Sequence, residues 1–381
     1  MHGFGRIVLI LAAIAAQPSA AAALSWSVAK ESQAKDLIAR FLRPGPGQFP
    51  SRPPALSIAV GIDGKLAMAD GFGEAATGSP ATARTVYRIG SLTKQFTAAA
   101  ILKLIEDGAR APASGAPLTL DMQVTDILGE AARWTQPDQN PITIRSLLTM
   151  TSNLPNFTRR PPANLDPWGA IAAPKLLDEV RQLAPSGWPS SFEYSNTNYF
   201  LLSAIIDAAQ PRDAGSPRGY DGVLRQLIFA AAGMTATGFY SDGSAGAAMA
   251  QPNYRRKPAF SEPDWLRGSG DMVSTALDLF AWNSGLLAGR VIAANSVEQM
   301  LAESARVTPT DYYGMGWFIA PFGDWTLYSH TGSVPGFTCF NAISRDASRQ
   351  HWASVTLLTN MDGVMELDGL ADELLRLARQ D

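Results

Sequence analysis

The sequence of 381 residues has little of several residue types on which whole classes of protein depend. Its one cysteine, Cys339, excludes an intrachain disulfide. Its three histidines, His2, His330 and His351, are too few and too far apart for a histidine-rich metal site. There is also no His-Glu-x-x-His motif and no phosphate-binding Gly-Lys-Ser/Thr loop. We therefore expect an activity that uses no metal and no cofactor.

An excess of positive charge is absent as well. Lysine and arginine together number 31, against 34 acidic residues, which gives a net charge of −3 at pH 7. The basic residues are mostly arginines scattered among acidic residues, without a basic run. Because nucleic acids and anionic membranes are bound mainly through clustered positive charge, this composition argues against both as partners.

A long apolar run occurs only at the N-terminus. Arg6 precedes an apolar segment over 7–16, and small residues follow over 19–23, so residues 1–23 have the pattern of a cleavable secretory signal. The apolar segment is too short to span a bilayer, which takes about 20 residues. The C-terminal segment 361–381 reads as an amphipathic helix with acidic residues, not an anchor. We predict a secreted, periplasmic protein without a membrane anchor.

Segments that favour β-strands occur near both ends of the chain, with apolar helices between them. The predicted strands are 56–62, 66–71, 313–320, 325–329, 338–344 and 352–359. The predicted helices include 199–209, 223–232 and 271–287. We predict an α/β (α+β) fold in which helices flank an antiparallel sheet built from both chain ends. Its domains would be a sheet domain, 24–88 plus 275–381, and a mostly helical inserted domain, 89–274, with the active site in the cleft between them.

The loop over 153–192 is rich in proline and carries four spaced aromatic residues, which are Phe157, Trp168, Trp188 and Phe192. Such a loop is rigid without regular structure, and its aromatic rings can form a wall over a cleft. The alternative is that the rings only hold a long loop against the surface of the protein. The sequence favours neither interpretation.

The segment 85–108 combines a short predicted strand, Gly90 and a helix that is apolar on almost every face. Ser91 and Lys94 lie three residues apart in the first turn of that helix, so their side chains share one face. The helix N-terminus carries partial positive charge, which disfavours a protonated amine and lowers the pKa of the lysine. A neutral lysine beside a serine is a base beside a nucleophile. The alternative is a simple helix cap, because serine is a common N-cap and Ser-x-x-Lys occurs three times in the chain.

Two further segments place polar groups where a cleft edge is predicted. In 193–199, Tyr194 offers a hydroxyl that can relay a proton, and Asn196 an amide that can hold a carbonyl. Capping of the following helix is the alternative role there. In 329–336, predicted just after a strand, Gly332 permits close approach of another backbone, and nearby amides can polarise a carbonyl. An ordinary turn is the alternative.

The order of three motifs is a more specific signal than any one of them. They are Ser91-Leu92-Thr93-Lys94, Tyr194-Ser195-Asn196 and His330-Thr331-Gly332. On these motifs the chain resembles the serine β-lactamase and penicillin-binding superfamily, specifically its class C β-lactamase, D-alanyl-D-alanine carboxypeptidase and esterase branch. Supporting similarities are the segments at 142–149, 268–275 and 313–317. The resemblance covers essentially the whole chain after the predicted signal.

The resemblance implies a β-lactamase/transpeptidase-like fold and an acyl-enzyme mechanism. Ser91 would attack a carbonyl while Lys94 and Tyr194 take and return its proton, and the backbone N–H groups of Ser91 and Ser333 would form the oxyanion hole. The substrate would be a small molecule or a peptidoglycan peptide with an amide, β-lactam or ester carbonyl. The implied site consists of catalytic Ser91, Lys94 and Tyr194, and of substrate-binding or oxyanion residues Asn196, His330, Thr331, Gly332 and Ser333.

The sequence departs from the resemblance at two places. β-Lactamases of this branch usually have lysine at the position of His330. A histidine is largely neutral near pH 7, so we expect its grip on a substrate carboxylate to be weaker or pH-dependent. Met150 and Asn153 stand where relatives often carry histidine and glycine, and we expect Met150 to fill core space.

Other functions remain open from the sequence. One is an esterase or a D-amino-acid amidase of the same fold. A second is a covalent β-lactam binder or sensor that does not turn over. A third is a Ser-His-Asp hydrolase with His330 or His351 as its base, against which the lack of a Gly-x-Ser-x-Gly element argues.

Overall fold

The computed structural model of the chain describes residues 24–43, 54–112, 114–129, 141–162, 171–185, 191–209, 219–244, 246–254, 264–363 and 367–380. The predicted signal over 1–23 lies outside these residues and stays a prediction, and so do the roles of Trp168 and Trp188. Within the described ranges, none of the helices has the length and apolar character needed to span a membrane.

Strands and helices are numbered in chain order. The strands are β1 (Leu56–Ile62), β2 (Lys65–Phe72), β3 (Glu74–Ala76), β4 (Ser79–Pro80), β5 (Tyr87–Arg88), β6 (Gly238–Phe239), β7 (Met272–Ser274), β8 (Ala305–Arg306), β9 (Tyr312–Tyr313), β10 (Phe318–Phe322), β11 (Trp325–Val334), β12 (Phe337–Asp346) and β13 (Trp352–Thr359). The α-helices are α1 (Val28–Phe41), α2 (Thr93–Glu106), α3 (Thr125–Leu128), α4 (Ile144–Leu148), α5 (Ala173–Val180), α6 (Asn196–Ala208), α7 (Gly219–Val223), α8 (Ala230–Ala232), α9 (Ala276–Leu287), α10 (Ala294–Met300) and α11 (Leu367–Arg379). Short 3₁₀ turns lie at Gly90–Leu92, Gly246–Ala248 and Asp264–Leu266, and Leu224–Phe229 is π-helical.

An antiparallel eight-stranded sheet forms the centre of the described structure, in the order β2-β1-β13-β12-β11-β10-β9-β8. β1 pairs with β13 from Leu56 opposite Thr359 to Ile62 opposite Ala353. A strand from one end of the chain therefore lies directly beside a strand from the other end. This arrangement confirms the prediction of an antiparallel sheet built from both chain ends and flanked by helices.

Helices cover both faces of this sheet. Ile58 and Val60 of β1 belong to the same core cluster as residues of α1 and α11. Ala59 and Gly61 alternate with them, and a side chain at Gly61 would come within 2.6 Å of the Phe280 ring in α9. Since alternate residues of a strand point to opposite faces, the sheet is the middle of three layers.

A buried polar network joins α2 to the sheet. Asn341 of β12 donates to Oδ1 of Asn283 in α9 at 2.9 Å and to Oε1 of Gln95 in α2 at 3.1 Å. The amide oxygen of Asn341 accepts from Asn283 at 2.9 Å and from Thr356 of β13 at 2.8 Å. The network holds α2, the helix that contains Lys94, at a fixed position over the sheet. The division into the two predicted domains stays a prediction.

Strand β11 is longer than the sequence predicted. The expected strand ended at residue 329, with the third motif just after it, whereas β11 continues to Val334. Its pairing with β12 extends to Val334 opposite Phe337, and Gly336, with a φ of +81°, makes the turn. The expectation that the third motif follows a strand was wrong, because the motif lies inside one.

Two other predicted elements differ in their bounds. The helix expected over 271–287 begins at Ala276, because Thr275 caps it by accepting the N–H of Asp278 at 3.1 Å. The strand expected over 313–320 is divided into β9 and β10. Gly316 lies between them with a φ of +84° and packs closely against the backbone of α2.

Candidate active site

Ser91 lies in the 3₁₀ turn that connects β5 to α2. The turn begins at Gly90, which has a φ of +51°, and a side chain there would come within 2.8 Å of the backbone nitrogen of Ser333. Both conditions favour glycine. The N-cap of α2 is Leu92, without a side-chain capping bond, so Ser91 does not cap this helix. The structure therefore does not show the alternative role of Ser91 as a helix cap.

Lys94 is completely buried, and its amine contacts three oxygen atoms. Nζ lies 3.0 Å from Oγ of Ser91, 2.8 Å from Oδ1 of Asn196 and 2.7 Å from the backbone oxygen of Ser269. Burial lowers the pKa of Lys94 well below its usual range, and the nearby Asp271 opposes part of that change. The sequence predicted the direction of this change from the helix N-terminus, whereas the structure assigns it to burial.

The side chain of Asn196 is oriented by a short chain of hydrogen bonds. Its Nδ2 donates to Oγ1 of Thr158 at 2.9 Å, and the Thr158 hydroxyl donates to Oδ1 of Asn156 at 2.8 Å. Because the amide nitrogen is used there, Oδ1 of Asn196 faces Lys94. Asn196, the first residue of α6, is thereby hydrogen-bonded both to Lys94 and to the loop after α4.

Tyr194 places its hydroxyl within hydrogen-bonding range of Ser91. The centre of its ring lies 4.9 Å from Nζ of Lys94, and the ring is nearly parallel to that of Phe318, at an interplanar angle of 8°. Burial raises the pKa of Tyr194, which the hydrogen bond from Ser91 and the positive charge of Arg159 partly oppose. The phenol is therefore protonated at neutral pH and can both donate and accept a hydrogen bond.

Strand β11 packs directly against the turn that contains the serine. A side chain at Gly332 would come within 2.0 Å of the carbonyl oxygen of Ile89, so only glycine fits. The backbone nitrogen of the next residue, Ser333, lies beside Gly90. Thr331 and Ser333 are exposed, whereas His330 and Gly332 are buried. This alternation is expected for a strand. This packing brings the third motif against the first.

His330 is only 1% exposed, and both of its ring nitrogens have partners. Nδ1 lies 2.6 Å from the carbonyl oxygen of Thr331, and Nε2 lies 3.4 Å from the hydroxyl of Tyr313. The Phe318 ring packs beside it, with the ring centres 5.3 Å apart. Burial lowers the pKa of His330 to about 3, so the imidazole is neutral throughout the physiological pH range.

Some residues that contact the predicted site residues were not predicted from the sequence. Ser269 and Tyr313 entered the argument only within supporting similarities, and Thr158 had no predicted role. The available signal was Gly268, which has a φ of +75° and at which a side chain would come within 2.4 Å of the carbonyl oxygen of Tyr199. A glycine in that position indicates a backbone that must pack tightly, and here the tight turn points the Ser269 carbonyl at the lysine.

The proline-rich segment 153–192, expected to lack regular structure, contains the helix α5, so that expectation was wrong for this part. Its two described aromatic residues have different surroundings. Phe157 is buried in the core, with its ring centre 5.7 Å from that of Phe200. Phe192 is half-buried and lies 5.4 Å from the ring of Tyr313, beside the site. Met150 is completely buried, as expected. Phe157 therefore fits the interpretation that the rings hold this segment against the protein, and Phe192 fits the interpretation of an aromatic wall beside the cleft.

The Ser-His-Asp alternative lacks the geometry that it needs. Nδ1 of His351 lies 3.0 Å from Oδ2 of Asp63, at the turn between β1 and β2. The Ser91 hydroxyl is instead bonded to Lys94 and Tyr194. Among the described residues, no group of three or more potential metal-binding side chains is found.

Comparison with known proteins identifies relatives over most of the chain. A family model described as Beta-lactamase matches residues 41–380. The putative penicillin-binding protein PbpX of Bacillus subtilis (strain 168) is 26% identical over 303 residues, which cover 78% of this chain and 68% of that protein. Two further curated relatives are matched over 55% and 60% of their lengths, so the chain spans about two thirds or less of these proteins.

Solved structures agree with the family match. The D-amino acid amidase of Ochrobactrum anthropi SV3, complexed with L-phenylalanine, has a TM-score of 0.67 at 23% identity and covers 91% of this chain and 97% of its own. EstCE1, described as a hydrolase with promiscuous acyltransferase activity, has a TM-score of 0.72 at 17% identity and covers 92% of this chain and 100% of its own. At these identities the similarity shows the fold. Together with the family match it confirms the resemblance found in the sequence: the chain belongs to the Beta-lactamase family and has the fold of the serine β-lactamase and penicillin-binding superfamily.

Proposed function

We propose that the chain is a serine hydrolase that attacks an amide, β-lactam or ester carbonyl and forms an acyl-enzyme on Ser91. The observation that carries the proposal is the 3.0 Å contact between Oγ of Ser91 and Nζ of the buried Lys94. Membership of the Beta-lactamase family and the fold shared with hydrolases support this class of reaction.

The partners of Lys94 suit a neutral amine, which has two N–H groups and one lone pair. The amide oxygen of Asn196 and the backbone oxygen of Ser269 can only accept, so they take the two N–H groups. The lone pair then faces the Ser91 hydroxyl, which can donate its proton. This arrangement makes Lys94 the base and Ser91 the nucleophile.

In the reaction, the Ser91 oxygen forms a bond to the carbonyl carbon as its proton passes to Lys94. The carbonyl π electrons move to oxygen, and their return breaks the bond to the leaving nitrogen or oxygen. Tyr194 passes the proton to the leaving group. Water then attacks the acyl-enzyme, with the same residues as acid and base, and releases the acid and the serine.

The negative oxygen formed in each step needs hydrogen-bond donors. We assign these to the backbone N–H groups of Ser91 and Ser333, which the packing of Gly332 on Ile89 holds on one side of the cleft. Loss of one such donor typically costs about 3 kcal/mol of transition-state stabilisation. Thr331 and Asn196 would contact the bound substrate.

For the substrate, we favour a D-alanyl-D-alanine-like peptide or a β-lactam, since the curated relative PbpX is named a penicillin-binding protein. A D-amino-acid amide or a short-chain ester is the second choice, supported by the fold shared with a D-amino acid amidase and with EstCE1. Turnover of one representative of each class, measured side by side, decides between them.

The assignment of the nucleophile is tested with Ser91→Ala and a serine-directed acylating probe, read by intact mass. We expect the wild-type protein to gain one adduct and Ser91→Ala to gain none. The matched control is Ser32→Ala, because Ser32 and Lys35 form another Ser-x-x-Lys pair, in α1, and Ser32 is exposed. Undiminished labelling of Ser91→Ala would contradict the proposal. A penicillin adduct that persists on Ser91 would indicate a covalent binder instead of a hydrolase.

A further inference from the structure

A tight turn supplies one of the three oxygen partners of Lys94. The backbone oxygen of Ser269 accepts from Nζ of Lys94 at 2.7 Å, and the N–H of Ser269 donates to the carbonyl oxygen of Leu266, also at 2.7 Å. Thr97, three residues after Lys94 on the same face of α2, donates its hydroxyl to the carbonyl oxygen of Gly268 at 2.8 Å. The shape of this turn therefore sets where the Ser269 carbonyl lies.

Asp271 closes the same turn. Its Oδ1 accepts the N–H of Gly268 at 3.2 Å, and its backbone oxygen accepts the N–H of Tyr240 at 2.9 Å. The N–H of the next residue, Met272, donates to Oγ1 of Thr93, the first residue of α2, at 3.3 Å. The aspartate is thus fixed between the end of β6 and the start of α2.

The charge of Asp271 interacts with groups on three elements, which are Lys94 of α2, Tyr220 and Asp221 of α7, and Arg267 of the same turn. Arg267 is already paired, since its guanidinium lies 2.5 Å from Asp207 and 3.6 Å from Asp221. Burial raises the pKa of Asp271 to about 7, and Arg267 opposes only part of this change. The carboxylate in turn opposes part of the lowering of the Lys94 pKa.

This charge acts in the step that activates the serine. As the O–H bond of Ser91 breaks, a new N–H bond forms at Nζ of Lys94, and a positive charge appears on a completely buried group. A buried charge without a partner is costly, and a nearby charge of opposite sign reduces that cost. A carboxylate beside the amine therefore makes Lys94 a stronger base.

We propose that Asp271 is a positioning residue for Lys94, which holds the Ser269 carbonyl in place through Gly268 and stabilises the ammonium group that forms on Lys94. The inference rests on the proposed function and deepens it. Asp271 acts through the turn and through its negative charge, and the reacting atoms remain those of the serine, the lysine and the substrate.

The test measures the rate constant for labelling of Ser91 by a fluorophosphonate, read by intact mass from about pH 5 to about pH 10. Because fluoride leaves without needing a proton, this rate depends on the base and not on a later proton donor. Asp271→Asn keeps an oxygen for the Gly268 N–H but removes the charge. We expect its acid limb to move about one unit to lower pH and its plateau rate to fall about threefold to tenfold.

Asp271→Ala also removes the bond to Gly268, so we expect its plateau rate to fall about a hundredfold. The matched control is Asp278→Asn, because Asp278 is another buried aspartate that accepts a backbone N–H, from Ala236 at 2.7 Å, but it lies in α9. This control keeps the wild-type midpoint.

A lower midpoint in Asp271→Asn, with a plateau rate above that of Asp271→Ala, supports the proposal, because a purely structural aspartate would leave the midpoint in place. An unchanged midpoint in Asp271→Asn, equal plateau rates in the two Asp271 variants, or the same shift in Asp278→Asn overturns it. Absence of labelling on wild-type Ser91 would instead overturn the proposed function, so the two failures are distinguishable.

Discussion

At the scale of single residues, the site depends on one amine that is fully enclosed by protein. Lys94 has oxygen partners on three sides, and burial keeps its pKa well below the usual range. A buried ammonium would have to be stabilised by negative charge, and the charge of Asp271 opposes only part of the lowering of the Lys94 pKa by burial. The amine is thus most stable in the form that can take a proton from Ser91.

The pH dependence of kcat/KM should follow the protonation of Lys94 and not that of His330. Lys94 acts in its deprotonated form, so kcat/KM should rise as pH increases through its lowered pKa and level off above it. His330, with a pKa of about 3, should add no step near pH 6.5. We expect His330→Gln to change the activity but not the midpoint of the acid limb, measured from about pH 4 to about pH 10. A midpoint that moves in this variant would show that the histidine titrates in that range.

How far the site could be predicted depends on the distance along the chain between its residues. The pairing of Ser91 with Lys94 follows from a spacing of three residues, which is local helical geometry. The Ser269 carbonyl lies 175 residues from the lysine that it binds, and only the folded structure joins them. The burial of His330 involves residues nearer in sequence, but it too depends on the fold, because the pairing of β9, β10 and β11 brings the rings of Tyr313 and Phe318 against it. The sequence argument could state only that a histidine is mostly neutral.

At the scale of secondary-structure elements, β11 and the 3₁₀ turn before α2 form one unit. Gly332 permits the contact, and the length of β11 extends it past the motif to Ser333. The existence of this strand was predictable from its residues. Its end was not, because pairing with β12 sets it, and the turn at Gly336 lies beyond the apolar pattern.

Gly332→Ala should separate the strand from the turn. The new methyl carbon would lie 2.0 Å from the Ile89 carbonyl oxygen, which is backbone and cannot move aside alone. We expect kcat to fall at least about a hundredfold, as for the loss of an oxyanion donor. The control is Gly369→Ala in α11, where the added carbon meets nothing within 4 Å. It should keep full activity and gain up to about 1 kcal/mol of stability. Wild-type kcat in Gly332→Ala would contradict the role of this contact.

At the scale of the whole molecule, the sheet is assembled from both chain ends and the polar network of Asn341 fixes α2 upon it. The sheet was predictable, because strands near both termini surround a helical block. The network was not, because Asn283, Gln95 and Thr356 are far apart in sequence and each looks like an isolated polar residue in an apolar segment.

Asn341→Ala should destabilise the fold as a whole. The substitution leaves Asn283, Gln95 and Thr356 buried with fewer partners, and each unsatisfied group costs about 1–3 kcal/mol. We expect the free energy of unfolding, measured by urea denaturation, to fall by at least about 2 kcal/mol. Asn295→Ala, at an exposed position in α10, should change it by less than about 0.5 kcal/mol. Equal stability of the two variants would show that the network does not hold the layers together.

The pairing of β1 with β13 also determines when this protein can fold during synthesis. The paired residues are roughly 300 positions apart, so this part of the sheet depends on contacts between very distant positions of the chain. β1 leaves the ribosome roughly 300 residues before β13 and, with every residue apolar or small enough to be buried, must wait for that partner. Until then its unpaired edge can associate with other chains. Keeping that strand apart from other nascent chains is therefore a task for the cell's chaperones, and a chain truncated before β13 cannot complete its core.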